Sequence, residues 1–313
     1  MQVKKFDFNR DYDKCIQFLT DCYRENGNMT CWLPQRFDDL IFRVVGIPRH
    51  NQLSDFIYLF EEKNQIIGLV IPDDAAFNSC IRKGYEHIYP QMLDWAEEEL
   101  LPVMERDEKG QTILSVVSHE SLTYQAVELE KRGYIRQAES DYDNVLHPLE
   151  NDYPIQLPKG FYQSYGKGFS DGLKAQACHY GFHPEFDTGV LIEAEDISSY
   201  LGRKRSRYFN DSIESLIVTD EGDICSYCFC YVDKVTSTGF IEPVSTRKKY
   251  RNMGCCRNMI YGVIKALKEK KIKNAYINSY DWRRKVYNHV GFMTEDTKGY
   301  WKRLSAQKSR QRY

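Results

Sequence analysis

Apolar positions recur along this chain in two rhythms. One has the period near 3.6 that lays a stripe on a helix; the other is the alternation, or the short unbroken run, of a strand. Tyr12, Cys15, Ile16, Leu19, Cys22 and Tyr23 predict a helix over Asp11–Glu25. Asp55–Val70 reads as strand, polar turn, strand. A helix near Tyr89–Met104 follows, then a β-branched strand at Thr112–Val117, a helix over Ser121–Lys131 and closing strands within Ile135–Leu149. Asn151–Gly160 carries turn residues and serves as a linker or a first strand. The second half repeats the order. Helices fall near 170–180 and 194–203, a hairpin at 215–232 and a strand at 238–246. Cys256, Met259, Ile260, Val263, Ile264 and Leu267 then mark a helix from 254 to about 270. A strand at Asn274–Ser279, a short helix at Trp282–Val290 stopped by Gly291, and strands from Phe292 through Arg303 complete it.

The halves read as distant copies of one pattern. Asp55–Val70 and Glu214–Phe229 share it at an offset of 159, and Leu129–Tyr134 answers Tyr287–Phe292, with Gly133 and Gly291 offset by 158. Matching offsets at separate places predict a tandem repeat, divided as 1–150 and 151–313. The correspondence fails at one point. Where the second half has a strand leading into a cationic corner, the first reads Pro72-Asp-Asp-Ala-Ala-Phe-Asn-Ser-Cys-Ile-Arg-Lys-Gly84. It offers Asp73 and Asp74, only Arg82 and Lys83 as cations, and no comparable glycine-containing corner.

Composition adds limits. A length of 313 residues suits two domains, and 42% hydrophobic with 14% aromatic residues suits packed cores rather than disorder. No run approaches the roughly 18 apolar residues of a membrane span, and Met1–Phe8 lacks an apolar leader, so a cytoplasmic protein is expected. Of ten cysteines, Cys225, Cys228 and Cys230 share one strand-like run. Strand alternation puts Cys225 and Cys228 on opposite faces, which does not chelate zinc, so buried free thiols are expected. The net charge of −2 hides an asymmetry: residues 1–150 carry 16 Lys and Arg against 27 Asp and Glu, and residues 151–313 carry 27 against 18. The basic half suits a polyanionic ligand. The chain has no helix-turn-helix, zinc or RNA-binding signature, so nucleic acid is not an expected partner.

The stretch Phe240-Ile-Glu-Pro-Val-Ser-Thr-Arg-Lys-Lys-Tyr-Arg-Asn-Met-Gly-Cys-Cys-Arg257 concentrates the chemistry. It begins as an apolar strand, turns through Arg247, Lys248, Lys249 and Arg251, and enters a helix carrying Arg257. A helix start leaves backbone N–H groups unpaired at the positive end of the helix dipole, a site for phosphate, and Gly254 permits close approach. This pattern resembles the acyl-CoA loop of the GNAT superfamily of N-acetyltransferases, written Arg/Gln-x-x-Gly-x-Gly/Ala and often preceded by Glu-Pro-Val-x-Thr, as it is here. Cys256 stands where that family has Gly or Ala.

The resemblance covers 155–305 with motifs and 1–150 as a shape only. It implies an α+β fold of two tandem GNAT-like domains, each a mostly antiparallel mixed sheet flanked by helices, the second binding acetyl-CoA and the first degenerate. It implies that CoA enters a wedge where the parallel strands 238–246 and 274–279 diverge. The thioester carbonyl and pantetheine arm would lie along Val244, Ser245 and Thr246. The pyrophosphate would lie on the N–H groups of Asn252, Met253, Gly254, Cys255 and Cys256 beside Arg251. Tyr287 matches the Tyr of Tyr-x-x-x-Gly-Phe, a proton donor to the CoA sulfur, and Tyr280 or Asp281 falls near the usual Asn.

An alkyl ammonium, with a pKa of about 10.4, must lose its proton before it attacks. Glu242 is the candidate base, two residues from Val244 and on its side of the strand; water or another carboxylate would serve as well. The expected function is acetyl transfer from acetyl-CoA to a primary amine. The alternative is a CoA-binding regulator or scaffold without turnover. The acidity of the first half points to a cationic acceptor such as a polyamine, an aminoglycoside or a lysine-like group, and the oligomeric state is left open.

Overall fold

The computed structural model describes residues 1–45, 56–73, 76–100, 113–187 and 194–304. The first half runs β1 (Gln2–Lys5), α1 (Phe8–Asn26), α2 (Pro34–Asp39) with a π-helical turn at Leu40–Val45, β2 (Tyr58–Glu62), β3 (Gln65–Asp73), β4 (Ala76–Ile81), α3 (Tyr89–Trp95), β5 (Ile113–His119), α4 (Thr123–Lys131) and β6 (Ile135–Leu146). The second runs β7 (Phe161–Tyr165), α5 (Asp171–Phe182), α6 (Ala194–Arg203), β8 (Ser215–Thr219), β9 (Ile224–Asp233), β10 (Thr238–Thr246), α7 (Cys255–Glu269), β11 (Asn274–Tyr280), α8 (Asp281–Val290) and β12 (Met293–Leu304). The same ten-element order appears twice, as a tandem repeat requires.

Local chemistry sets several of these boundaries. The Asp7 carboxylate accepts from the Arg10 N–H and starts α1, which ends where Gly27 turns left-handed. Of the predicted stripe on α7, Met259, Ile260, Val263, Ile264 and Leu267 all face the core of the second half, and Cys256 packs half-buried against it. Each such side chain contributes about 1.5–3 kcal/mol on burial.

The described residues of 1–33, 52–142 and 296–313 form one compact unit, and those of 34–51 and 143–295 form the other. In the first unit the strand order is β1-β2-β3-β4-β5-β12, antiparallel except for β4 beside β5. In the second it is β6-β11-β10-β9-β8-β7, with β10 and β11 parallel. The dividing lines fall inside β6 and β12. The halves 1–150 and 151–313 describe the repeat of elements and remain a proposal about domains; the compact units trade α2 and the end of β12 across that line. Gln35 on α2 ties it to the second unit, its amide donating to the Thr238 carbonyl at 3.2 Å and hydroxyl at 2.7 Å.

Three expectations need correction. Residues 76–81 form a fully buried strand, β4, not foreseen because Asn78 and Ser79 break its apolar run. Their side chains are satisfied within the unit, Asn78 donating to the Ile71 carbonyl and Ser79 accepting from Gln125. Cys225 and Cys228 do not occupy opposite sides: a bulge between the pairs Ile217–Ser226 and Val218–Ile224 turns Cys225 into the same core as Cys228 and Cys230. The segment Ile135–Leu149 supplies one strand, β6, rather than several. All ten cysteines are free thiols, and no cluster among the described residues would hold a metal ion. The predicted helix end at 101–104 and Asp74 lie outside the described residues.

Candidate active site

β10 and β11 run side by side for only three residue pairs, Thr238–Asn274, Gly239–Ala275 and Phe240–Tyr276. Past Phe240 the strands part. Glu242, Pro243, Val244, Ser245 and Thr246 then have β9 on one side and, among the described residues, no strand on the other. A bulge between Ile241 and Val244 interrupts the pairing with β9 at Glu242 and Pro243. An unpaired strand edge offers N–H and C=O groups to an extended ligand. Val244 is half-buried, Ser245 donates to the Tyr227 carbonyl at 3.3 Å, and the Thr246 hydroxyl pairs with that of Ser226.

The corner after β10 is a row of backbone donors. Asn252 at φ 64° and Gly254 at φ 79° are both left-handed, which curls the chain into the start of α7. Among the described residues, no protein acceptor is recorded for the N–H groups of Asn252, Met253, Gly254, Cys256 and Arg257. Successive N–H groups in such a turn, at the head of a fifteen-residue helix, form a cradle for an anion. A Cβ on Gly254 would lie 3.4 Å from the Asn258 amide nitrogen, so the glycine keeps the cradle open.

The five cations foreseen here divide by role. Arg247 is held by Asp187 at 2.6 and 3.1 Å, and Lys249 by Asp223 at 2.9 Å. Arg251 donates to the carbonyls of Thr246 and Gly181, so it braces the corner against the end of α5. Only Lys248 and Arg257 lack a recorded partner among the described residues.

Tyr287 lies on α8 with its ring in the core, 6.2 Å from Phe292, and its hydroxyl makes no recorded hydrogen bond. Burial pushes the phenol up, with Cys256, Cys228 and Glu242 adding to the shift and Arg283 opposing it. Tyr287 therefore lies within electrostatic reach of both the strand carboxylate and the corner thiol. Cys256 is half-buried; burial pushes its thiol up to about 11, opposed by the Thr246 hydroxyl and Arg283. Glu242 is half-buried on β10. Burial and the Asp39 carboxylate hold its carboxyl above the ordinary range, against the pull of Arg43, Arg36 and Arg203. A carboxyl so placed keeps a proton more readily than an exposed one and returns it nearer neutral pH.

Two contributors escaped sequence reading. Asn258 is fully buried and donates to the carbonyls of Gly254 and Gln156 while accepting from the Gln156 N–H, which locks the start of α7. Its signal was an amide on the apolar stripe. Arg283 precedes Tyr287 by four residues, a spacing that puts both on one helix face. Tyr280 is half exposed at the start of α8, and Asp281 occupies its first turn.

The matching place in the first unit is closed. β4 and β5 pair at Ala76–Ser115 and Phe77–Val116 only, then part. Gln125 from α4 spans the opening, donating to the Ser79 hydroxyl at 3.3 Å and accepting from the His119 N–H at 3.2 Å. Contrary to expectation, this half does have a glycine corner: Gly84 at φ 89° follows β4. Its N–H, however, donates to the Glu86 carboxylate at 2.9 Å, and Arg82 pairs with Asp21 and Glu25, each at 3.2 Å.

No family model and no curated protein matches the chain. Solved structures do. A GCN5-related N-acetyltransferase from Sphaerobacter thermophilus aligns with a TM-score of 0.64 at 13% identity, covering 97% of this chain and 95% of its own. A tandem GNAT protein from the clavulanic acid biosynthesis pathway aligns at 0.62 and 12%, covering 97% and 98%. An acetyltransferase of the GNAT family from Colwellia psychrerythraea aligns at 0.61 and 10%, covering 96% and 99%. With the parting parallel strands and the twice-repeated order of elements, these matches establish that the chain, over nearly its whole length, has the fold of the GCN5-related N-acetyltransferases.

Proposed function

We propose that the protein is an N-acetyltransferase that moves the acetyl group of acetyl-CoA to a primary amine of a small molecule, with one active centre, in the second unit. The observation that carries this reading is the parting of β10 from β11 directly beside the N–H groups of Asn252, Met253, Gly254, Cys256 and Arg257, for which no acceptor is recorded among the described residues. Acetyl-CoA supplies the acetyl group as a thioester. The N–H groups of Asn252, Met253, Gly254, Cys255 and Cys256 bind its pyrophosphate, while Arg251 fixes the corner's shape. The open edge at Val244, Ser245 and Thr246 takes its extended arm and orients its carbonyl. Glu242 accepts a proton from the acceptor ammonium, directly or through water, and frees the lone pair. As the new C–N bond forms and the C–S bond breaks, the Tyr287 hydroxyl delivers a proton to the departing sulfur; the nitrogen's second proton is lost to solvent as the amide forms, Tyr287 is reprotonated from solvent, and Glu242 releases its own proton to solvent. Free thiols throughout suit a reducing compartment, and we place the protein in the cytoplasm. Among the described residues no helix is long and apolar enough to cross a membrane.

The test joins two measurements. Titration calorimetry with acetyl-CoA reports binding, and thiol release with acetyl-CoA and a panel of amines reports turnover. Binding with amine-dependent release is expected. Binding without release from any amine would make the protein a CoA-binding scaffold, and absence of binding would overturn the reading.

A further inference from the structure

Phe182, Arg283 and Trp282 form a bridge where β10 and β11 part. The Arg283 guanidinium carbon stands 4.3 Å from the Trp282 ring centroid and 5.6 Å from that of Phe182. The two rings come from the two sides of the wedge. Phe182 ends α5, whose last turn lies against the end of β10: a Cβ on Gly181 would stand 2.5 Å from Ser245 Cβ and 2.9 Å from the Thr246 nitrogen. Arg251, in the corner after β10, donates to the Gly181 carbonyl at 2.8 Å. Trp282 and Arg283 lie in the first turn of α8, which follows β11 directly. The last recorded pair of β10 and β11 is Phe240–Tyr276, so a side chain reaching from α8 to the end of α5 crosses the wedge beyond that point.

Arg283 is half-buried, and among the described residues no hydrogen bond or ion pair is recorded for it. A guanidinium carries five donors, and here ring faces rather than acceptors stand against it. Those rings are themselves wet, Trp282 at 71% and Phe182 at 40% exposure, which keeps the contacts weak. Asp281 is exposed and two positions away on the helix, so the two side chains diverge. The charge of Arg283 does reach the site. It opposes the rise that burial causes in the Cys256 thiol and the Tyr287 phenol. Cys256 belongs to the cradle after β10, and no acceptor is recorded for its N–H among the described residues. Three of the corner's own cations are engaged, Arg247 by Asp187, Lys249 by Asp223, and Arg251 by the carbonyls of Thr246 and Gly181. Arg283 faces the same cradle from the other wall of the wedge with its donors uncommitted.

We propose that Arg283 is a binding residue of the acetyl-CoA site: its guanidinium, poised between Phe182 and Trp282 at the wedge, donates to a pyrophosphate oxygen of the ligand held on the cradle at 252–257. The planar fork matches two oxygens of a phosphate in geometry as well as charge. A charge-assisted hydrogen bond outweighs a cation–π contact between exposed groups, so the guanidinium exchanges ring faces for the ligand. The side-chain contact from α8 then comes from Arg283, one turn before Tyr287, rather than from Tyr280 or Asp281. This inference rests on the acetyltransferase reading, which acetyl-CoA binding by the wild type tests separately.

The experiment is calorimetry on the wild type and Arg283→Met with two ligands, acetyl-CoA and acetyl-dephospho-CoA, which lacks the ribose phosphate and keeps the pyrophosphate. Methionine keeps an apolar stem against the rings and removes the charge and the fork. Kd is expected to rise about tenfold or more for both ligands alike, the scale of one charge-assisted hydrogen bond. From about 0.05 to about 0.5 M salt the wild type should lose more affinity than the variant, which lacks one ion pair for the salt to screen. A folded Arg283→Met that binds acetyl-CoA as the wild type does overturns the contact. So does a loss of affinity with parallel salt dependence in the two proteins, which makes Arg283 only a tie between α5 and α8. A loss that spares the dephospho ligand gives the contact to the ribose phosphate and overturns the pyrophosphate assignment. Melting curves report folding, and Arg283→Gln carries the same expectations where the methionine variant does not fold. Failure of the wild type to bind acetyl-CoA overturns the acetyltransferase reading itself, and this inference with it.

Discussion

The Gly84 N–H donates to the Glu86 carboxylate at 2.9 Å, so the corner that follows β4 carries its own anion. At the equivalent corner after β10, no acceptor is recorded among the described residues for the N–H groups of Asn252, Met253, Gly254, Cys256 and Arg257, and no acid lies between Arg247 and Glu269 in the sequence. The two halves thus share a backbone turn and differ in whether a ligand anion finds a donor there.

One acetyl-CoA per chain follows. A ligand phosphate at Gly84 would have to displace Glu86 and meet Asp21 and Glu25 around Arg82, whereas at 252–257 it meets N–H groups for which no acceptor is recorded among the described residues. Titration calorimetry should give a single site, and Gly254→Asp should abolish it by setting a carboxylate in the cradle. Two equivalent sites, or one site that survives this substitution in a folded protein, would refute the assignment.

Tyr287→Phe removes the hydroxyl and keeps the ring against Phe292. If the hydroxyl protonates the leaving sulfur, kcat should fall on the order of 10²-fold, the usual worth of a positioned general acid. Acetyl-CoA affinity and the melting temperature should stay near wild type, because this hydroxyl bonds to no described residue. An unchanged kcat would take Tyr287 out of the chemistry.

Much of this site was legible because its signals are local. The α7 stripe, the strand at 238–246, the glycine before the helix and the Tyr-x-x-x-Gly-Phe spacing each sit within one element, where periodicity reads directly. What escaped depends on tertiary placement. Nothing in Pro34–Asp39 announces that α2 packs beside β9 and β10, because its partners Thr238 and Tyr231 lie some two hundred residues away. The same holds for Glu242: Asp39, Arg43, Arg36 and Arg203, which act on its carboxyl, come from segments far from it in sequence. The strand before Gly84 was missed for a third reason, since β4 hides two polar residues, Asn78 and Ser79, in a buried run.

Lys174 and Glu214 form a buried pair at 2.7 Å, and Glu214 also accepts from the hydroxyls of Tyr200 at 2.5 Å and Tyr227 at 2.9 Å. Lys174→Met leaves that carboxylate buried without its countercharge, which should cost about 3–5 kcal/mol. Urea unfolding should show a lower midpoint at an unchanged slope. Lys174→Met with Glu214→Leu should recover part of the loss, since the stranded charge is gone. A single variant within about 0.5 kcal/mol of wild type, the range of ordinary surface changes, would mean the network is not structural.

Glu242→Gln separates catalysis from stability by their pH dependence. Burial and Asp39 raise the carboxyl above its ordinary 4.5, so wild-type kcat/KM should rise with pH through that raised value as the base ionises. The glutamine variant lacks this limb. Its deficit should be small at low pH, where wild-type Glu242 is protonated too. It should be largest between the Glu242 pKa and the acceptor's, about 10.4 for an alkyl amine, and shrink again once the amine is free without help. Stability moves the other way. An acid whose pKa is higher folded than unfolded binds its proton more tightly in the native state, so stability is full below the unfolded pKa and declines as pH rises toward the folded one. Thermal melts from pH 4 to 8 should therefore show wild type losing ground to Glu242→Gln as pH rises. Parallel activity profiles for the two proteins would give the proton to water or to another carboxylate, and parallel melting curves would mean that Glu242 ionises as freely in the fold as in the unfolded chain.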